Sequence, residues 1–259
     1  MGIVETEDRG PVRHVVINRP EKRNALNREA IEALGAAFAD AADDTGVRCV
    51  VLRGAGDMFS SGMDLASLRE LSEQPESLHP FRAGVLGAWN ILEEMAKPTI
   101  CEIHGACIGG AMELAVACDL RTIADSALMG IPEVRVGLIP DVGGCSRLPA
   151  IVGLGRAKEL VMTGRMIDGT EAERIGLANR VGPAETLDDV TGALVDELLA
   201  GAPLAVGAAK AVLDRAAKPA LAETLDDEVA AQEALAASAD FAEGTGAFFE
   251  KRQPSFTGS

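Results

Sequence analysis

Residues 103–118 read Ile-His-Gly-Ala-Cys-Ile-Gly-Gly-Ala-Met-Glu-Leu-Ala-Val-Ala-Cys. A strand end passes through three glycines and continues as an apolar helical run with one carboxylate, Glu113. A strand that turns through glycine into a helix is a connection of layered α/β chains. Glycine also lets backbone turn sharply and approach a ligand closely. A helix that starts there presents unpaired N–H groups and the positive end of its dipole, a place to hold negative charge. The spacing Gly105-x-x-x-Gly109-Gly110 is not Gly-x-Gly-x-x-Gly, and no Gly-Lys-Ser/Thr follows, so a dinucleotide or P-loop reading is weak.

The rest of the chain repeats the alternation. Strands are expected at 3–6 and 12–18 around the turn Asp8-Arg9-Gly10-Pro11, and at 47–53, 99–103, 120–124 and 128–131. Helices are expected at 28–44, capped by Asn27, at 64–71, capped by Asp64, and at 81–96. Between the last two, Ser72 to Pro80 reads as a mobile loop because of its two prolines. From 146 onward the pattern is helical: 146–151, 155–163, 169–175, 187–200, 204–216, 221–237 and 241–252. The expected class is α/β, with a core over residues 1–200 and an Ala-rich helical region over 201–259 that folds onto its own core or docks on a neighbouring subunit.

Composition bounds the partners. The 259 residues carry a formal net charge of −16, which argues against nucleic acid or an anionic membrane surface as main partner. An anionic ligand needs local basic residues or backbone donors against that field. Five dispersed cysteines with no Cys-x-x-Cys pair fit neither a disulfide framework nor a zinc site. With no signal-peptide core at the N-terminus, a reducing, cytoplasmic setting is expected. No His/Cys/Asp cluster has metal spacing, and His14, His79 and His104 are isolated.

Two stretches supply candidate oxyanion donors. Gly109-Gly110 opens the helix that carries Glu113, and Ser61-Gly62-Met63 precedes the helix capped by Asp64. Two such turns side by side can aim two N–H groups at one oxygen, each worth roughly 3–4 kcal/mol of barrier. The plainer reading is two helix starts. Glu113 lies in an apolar run, and loss of hydration raises a carboxyl pKa toward the range useful for proton transfer. Its plainer reading is a first-turn Glu favoured by its helix dipole. Glu133, after Ile131-Pro132, can be held rigidly on a loop; its plainer reading is a solvated loop residue. Asp141, in Pro140-Asp-Val-Gly-Gly, is a third candidate, but an N-cap of the following helix is the preferred reading.

Taken together these stretches resemble the crotonase, or enoyl-CoA hydratase/isomerase, superfamily. The resemblance runs from Asn18-Arg19-Pro20 through 59–65, 105–119, Pro132-Glu133 and 137–144 to 249–256, nearly the whole chain with motifs in order. It implies a crotonase-like spiral of repeated ββα units with a C-terminal helical trimerisation region, assembled as a homotrimer or homohexamer. It also implies an acyl-CoA thioester substrate, and no metal or other cofactor beyond the coenzyme A of the substrate.

By the same resemblance Met63 and Gly110 fall on the two oxyanion-hole positions. Ser61 falls where backbone meets adenine, with Gly62, Asp64, Leu65 and Gly109 beside it. Arg23 and Ala25 lie on a segment that touches CoA, and Lys251 on a residue that reaches the CoA phosphates of an adjacent subunit. Lys22 and Arg23 form the basic loop. Leu65, Leu68 and Leu71 are expected in the acyl wall, and no adenine-stacking aromatic is evident near Gln232.

Both glutamate positions of hydratases are occupied, by Glu113 and Glu133. The implied reaction is syn addition of water to a trans-2-enoyl-CoA. Enoyl-CoA or dienoyl-CoA double-bond isomerisation is the alternative, because Asp141 lies where dienoyl-CoA isomerases carry a catalytic Asp. A non-catalytic acyl-CoA-binding protein is the alternative of a different class.

Overall fold

The computed structural model describes residues 2–74 and 78–258, apart from the side chains of Leu68, Leu71, Ser72 and Glu73. In chain order the elements are β1 (Val4–Arg9), β2 (Val12–Ile17), α1 (Arg28–Asp43), β3 (Cys49–Gly54), α2 (Leu65–Glu73), α3 (Leu78–Glu94), β4 (Thr99–Ile103), β5 (Ala106–Ile108), α4 (Gly110–Ala117), β6 (Leu120–Ala124) and β7 (Leu128–Gly130). There follow α5 (Gly144–Val152), α6 (Leu154–Thr163), β8 (Ile167–Asp168), α7 (Gly169–Arg174), β9 (Arg180–Gly182), α8 (Leu187–Leu199), α9 (Pro203–Ala217), α10 (Leu221–Ala236) and α11 (Ala239–Glu250).

Two sheets organise the chain. The larger has the order β1-β2-β3-β4-β6-β9, antiparallel only at β1–β2 and parallel from there on. The smaller has the order β5-β7-β8 and is extended by a parallel bridge between Ser60 and Cys107. The chain therefore climbs as a spiral. It passes from β3 to the Ser60 bridge to α2, then from β4 to β5 to α4, then from β6 to β7 to the 3-10 turn Glu133–Val136. Each circuit places one strand in the large sheet, one short strand in the small sheet, and then a helix or turn. The starts of those helices and turns stack beside one another, which is what assembles a site.

The continuous apolar reading of β3 and β4 follows from burial on both faces. On one face Phe38 of α1, Trp89 and Leu92 of α3, and Met112 and Leu114 of α4 pack over Val50, Leu52 and Ile103. On the other, Leu194 and Val195 of α8 cover Val51 and Ile100.

Most of the expected elements are present, with ends moved by local chemistry. Asn27 caps α1 through Ala30 N at 2.9 Å, and Asp64 caps α2 through Ala66 N at 2.9 Å. Helix α11 starts at Ala239, two residues before its expected start, because the Ser238 hydroxyl accepts Phe241 N at 3.1 Å. The mobile loop expected at Ser72 to Pro80 is corrected at both ends. Helix α2 continues through Glu73, and α3 already starts at Leu78 with Pro80 in its first turn, where proline is tolerated. Pro75, Glu76 and Ser77 lie outside the described residues. The short strands β5, β8 and β9 were not expected; two or three residues carry no periodicity of their own.

Helix α9 is anchored by one buried cation. Lys210 Nζ donates to the Leu92 carbonyl at 2.7 Å and the Lys97 carbonyl at 3.1 Å, and lies 2.9 Å from Asp119 Oδ2. Removing one partner of a buried pair strands the other. Lys210→Met is expected to lower unfolding stability by about 3 kcal/mol, read as a drop in the urea midpoint at unchanged slope.

Candidate active site

Glu113 sits on α4, whose eight residues are all buried. The helix starts from Gly109 at φ 59° and ψ −129°, and Gly109 N donates to Gly130 O at 2.8 Å. Glu113 is only 2 % exposed. Its Oε1 accepts two backbone hydrogen bonds, from Val142 N at 2.9 Å and Gly144 N at 3.0 Å. The carboxylate is therefore gripped by the start of a different helix, α5, which corrects the reading of a Glu held by its own helix dipole. Burial, with the charges of Glu133, Asp141 and Glu228 nearby, pushes its pKa upward, and the bond from Val142 opposes that rise.

Glu133 opens the 3-10 turn Glu133–Val136, which Gly137 closes at φ 78° with Leu138 N donating to Glu133 O at 3.1 Å. The residue is half-buried, but its Oε2 is sealed from solvent and meets no donor among the described residues. A Cβ on Gly109 would lie 2.8 Å from Glu133 Oε1, so only glycine at 109 lets this carboxyl come so close to the turn before α4. Desolvation raises the Glu133 pKa to about 8 against a hydrogen bond from its own backbone N–H, with a smaller upward push from Asp141. It is not a solvated loop residue.

The two glycine turns are neighbours. A Cβ on Gly62 would lie 2.3 Å from Ile108 O and 3.6 Å from Gly110 N, and one on Gly110 would lie 2.7 Å from Met63 Cε. Leu26 and Met63 form a parallel bridge in which Gly62 O accepts Leu26 N at 2.8 Å and Asp64 N donates to Leu26 O at 2.9 Å. That pairing uses the groups flanking Met63 and turns Met63 N to the opposite side. Gly110 is the first residue of α4, so its N–H has no intrahelical acceptor.

Asp141 does not cap α5. The N-cap is Gly143 at φ 108°, with no side-chain cap of its own. The Asp141 carboxylate instead lies 3.4 Å from Arg82 Nε, a side chain of α3 that is 6 % exposed. Burial raises the Asp141 pKa to about 7 against the pull of the Arg82 cation. The α5 start is capped from another element: Glu228 of α10 accepts Gly143 N at 2.9 Å and Ser146 N at 2.7 Å.

These groups line one cavity of ≈ 640 Å³. Glu113, Glu133, Asp141, Ser61, Gly62, Met63, Leu65, Gly109 and Gly110 all reach it. Its apolar wall comes from Leu78 and Phe81 of α3, Leu138 and Ile139, and Phe241, Phe248 and Phe249 of α11. The side chains of Leu68 and Leu71, expected in that wall, lie outside the described side chains.

Four of the expected binding residues do not line the cavity. Arg23 is exposed at φ 55°, and its carbonyl accepts Ser61 N at 3.0 Å. Ala25 is buried, and its carbonyl accepts the Arg19 guanidinium. Asp64 caps α2 and pairs with Arg19 at 3.3 Å, a structural role. Lys251 ends α11, exposed at φ 56°, and its neighbour Arg252 reaches the cavity rim instead. Sequence reasoning missed Arg82, Glu228, Gln232 and the phenylalanines of α11. Arg82 carried a signal, a lone cation on the apolar face of Phe81 and Val85; Glu228 carried none among the many acids of α10. Among the described residues no group of three or more His, Cys, Asp or Glu side chains is arranged to hold a metal ion.

Residues 7–259 match the family model for enoyl-CoA hydratase/isomerase. The chain belongs to that family. It is 38% identical over 261 residues to an enoyl-CoA isomerase/hydratase of Mycosarcoma maydis, covering 95% of this chain and 93% of that one. It is 34% identical over 265 residues to a peroxisomal Δ(3,5)-Δ(2,4)-dienoyl-CoA isomerase of Arabidopsis thaliana, covering 98% and 95%. The crystal structure of an enoyl-CoA hydratase/isomerase from Pseudoalteromonas atlantica superposes with a TM-score of 0.87 at 30% identity, over 98% of this chain and 99% of that one. The spiral of ββα circuits is thus the crotonase fold.

Raised carboxyl pKa values have a stability consequence. The folded state keeps a proton on Glu133 up to about pH 8, whereas the unfolded chain releases it near the ordinary glutamate value of 4.5. Between those values the native state binds more protons, so stability is greatest below the unfolded pKa and falls as pH rises. The slope from one such group is on the order of 1 kcal/mol per pH unit. Glu133→Gln is expected to flatten that decline between pH 5 and 8, measured by urea unfolding across the range.

Proposed function

We propose that the protein is an enoyl-CoA hydratase that adds water syn across a trans-2-enoyl-CoA to give a 3-hydroxyacyl-CoA. The observation that carries this reading is the unequal treatment of two buried carboxyls on one cavity. Glu113 receives two backbone N–H groups at the start of α5, which favour its ionised form against the burial and neighbouring carboxylates that raise its pKa. Glu133 Oε2 meets no donor among the described residues, and desolvation raises its pKa to about 8 against the pull of its own backbone N–H. One base and one acid beside each other is what a syn addition needs.

In this reading the thioester carbonyl lies between Met63 N and Gly110 N. Glu113 takes a proton from water as its oxygen bonds to C3. Electrons move from the C2–C3 double bond onto the thioester oxygen, where the two N–H groups stabilise the developing negative charge. Glu133 then delivers its proton to C2, and the enolate collapses to the thioester. The same water proton held by Glu113 restores the pair after product leaves. Water, enoyl thioester and two carboxyls balance the reaction with no resident cofactor.

Assembly belongs to the same proposal. Helix α9 leaves Leu204, Val212 and Leu213 exposed, apolar surface that a homotrimer or a hexamer of two trimers would bury. In this reading Lys251 serves a neighbouring subunit's CoA phosphates, as the family resemblance implies.

A second reading has its own support. Asp141 is freed from capping, lines the cavity and has a pKa near 7, so it is available as a further proton carrier for double-bond isomerisation. Crotonyl-CoA and a 3-enoyl-CoA, supplied separately and followed by absorbance of the conjugated thioester, separate the two. Hydration consumes the first signal; isomerisation creates the second. Tight binding of acetoacetyl-CoA with no turnover of either would leave an acyl-CoA-binding protein. For the hydratase, Glu133→Gln is expected to cut kcat on crotonyl-CoA by about 10²- to 10⁴-fold. Full retained hydration in that variant would overturn the assignment of Glu133 as the acid.

A further inference from the structure

The backbone between Gly137 and α5 is held by side chains from three helices. Ile139 N donates to Gln232 Oε1 at 3.0 Å. Val142 N and Gly144 N donate to Glu113, while Gly143 N and Ser146 N donate to Glu228. The donors therefore alternate along the chain between a core glutamate on α4 and a glutamate on α10. Ser146 Oγ adds a third bond to Glu228 at 2.5 Å.

Glu228 and Gln232 are one turn apart on α10 and are 4 % and 3 % exposed. Arg82 lashes the same loop to the same helix, donating from Nε to the Asp141 carbonyl at 2.5 Å and from Nη2 to the Leu225 carbonyl at 2.6 Å. It also lies 3.8 Å from Glu228 Oε2. The loop has little freedom to find this path another way, since Gly143 sits at φ 108° with Arg147 against the place a Cβ would occupy.

We propose that Glu228 is a positioning residue for the chemistry of Glu113: by holding Gly143 and Ser146 it sets the direction of the Val142 and Gly144 N–H groups that orient the Glu113 carboxylate. Helix α10, outside the spiral, thus writes the geometry of a carboxylate inside it. The proposal rests on the reading of Glu113 as a working acid/base group. An ordinary helix cap predicts something different, a loss of stability with the chemistry untouched. The charge on Glu228 also helps hold a proton on Glu113, so removing that charge moves the Glu113 pKa down.

The test compares Glu228→Ala with Glu228→Gln in the full-length protein. Expected is a loss of about 30-fold in kcat for Glu228→Ala, with KM for crotonyl-CoA changed less than about threefold. Glu228→Gln keeps an acceptor oxygen and is expected to recover most of kcat, with the acid limb of the kcat–pH profile displaced to lower pH. Retained kcat in Glu228→Ala, or an acid limb that stays in place in Glu228→Gln, overturns the proposal. Should Glu228→Ala not fold, amide exchange at Val142 and Gly144 in Glu228→Gln decides alone.

Hydrogen exchange resolved to single amides separates this outcome from failure of the hydratase reading, because it needs no turnover. Faster exchange at Val142 and Gly144, which Glu228 does not touch, supports positioning. Change confined to Gly143 and Ser146 overturns it.

Discussion

The start of α5 is the interaction on which the rest of the site depends. Carboxyl groups in an apolar interior are held only where hydrogen bonds replace the water they lose. Glu113 and Glu228 are both nearly sealed from solvent, and both find their donors on the same few backbone groups, Val142 to Ser146. That one helix start therefore joins a helix of the spiral core to a helix of the C-terminal region. Glu133, which faces the same cavity, leaves its buried Oε2 without a donor among the described residues, and the contrast between the two carboxyls is the chemical content of the site.

Close backbone approach is the second constraint. The small sheet brings the turn before α2 against the turn before α4, and the Ser60–Cys107 bridge sets their register. Glycine is needed at 62 because a Cβ would run into the Ile108 carbonyl, and at 109 because one would meet the Glu133 carboxyl. A chain with alanine at either position would have to push the two turns, or the turn and its carboxyl, apart. The cavity thus owes its polar side to missing side chains and its apolar side to the phenylalanines of α11 and the face of α3.

Much of this was legible along the chain, and the reasons it stopped are physical. Strands such as 99–103 and 120–124 read clearly because parallel strands buried on both faces are apolar throughout. Helix starts at Asn27 and Asp64 read clearly because a cap is a local interaction. Asp141 was misread for the same reason. Its position before Gly-Gly satisfies every local rule for a cap, yet Arg82, distant in sequence, draws its carboxylate away and Glu228 takes over the capping. Arg23, Ala25 and Lys251 follow from resemblance, and in the isolated chain they do not face the cavity.

The sequence by itself determined the α/β class, the order of the longer strands and of the helices, the two glycine turns, and the pair Glu113 and Glu133, because periodicity, glycine and apolar context are properties of neighbours in the chain. Tertiary structure alone decided which carboxyl takes its donors from the start of α5. It also brought Arg82, Asp141 and Glu228 together and made the α11 phenylalanines a wall. Those outcomes depend on donors and burial supplied from 29 to 85 residues away, for which a linear pattern holds no signal.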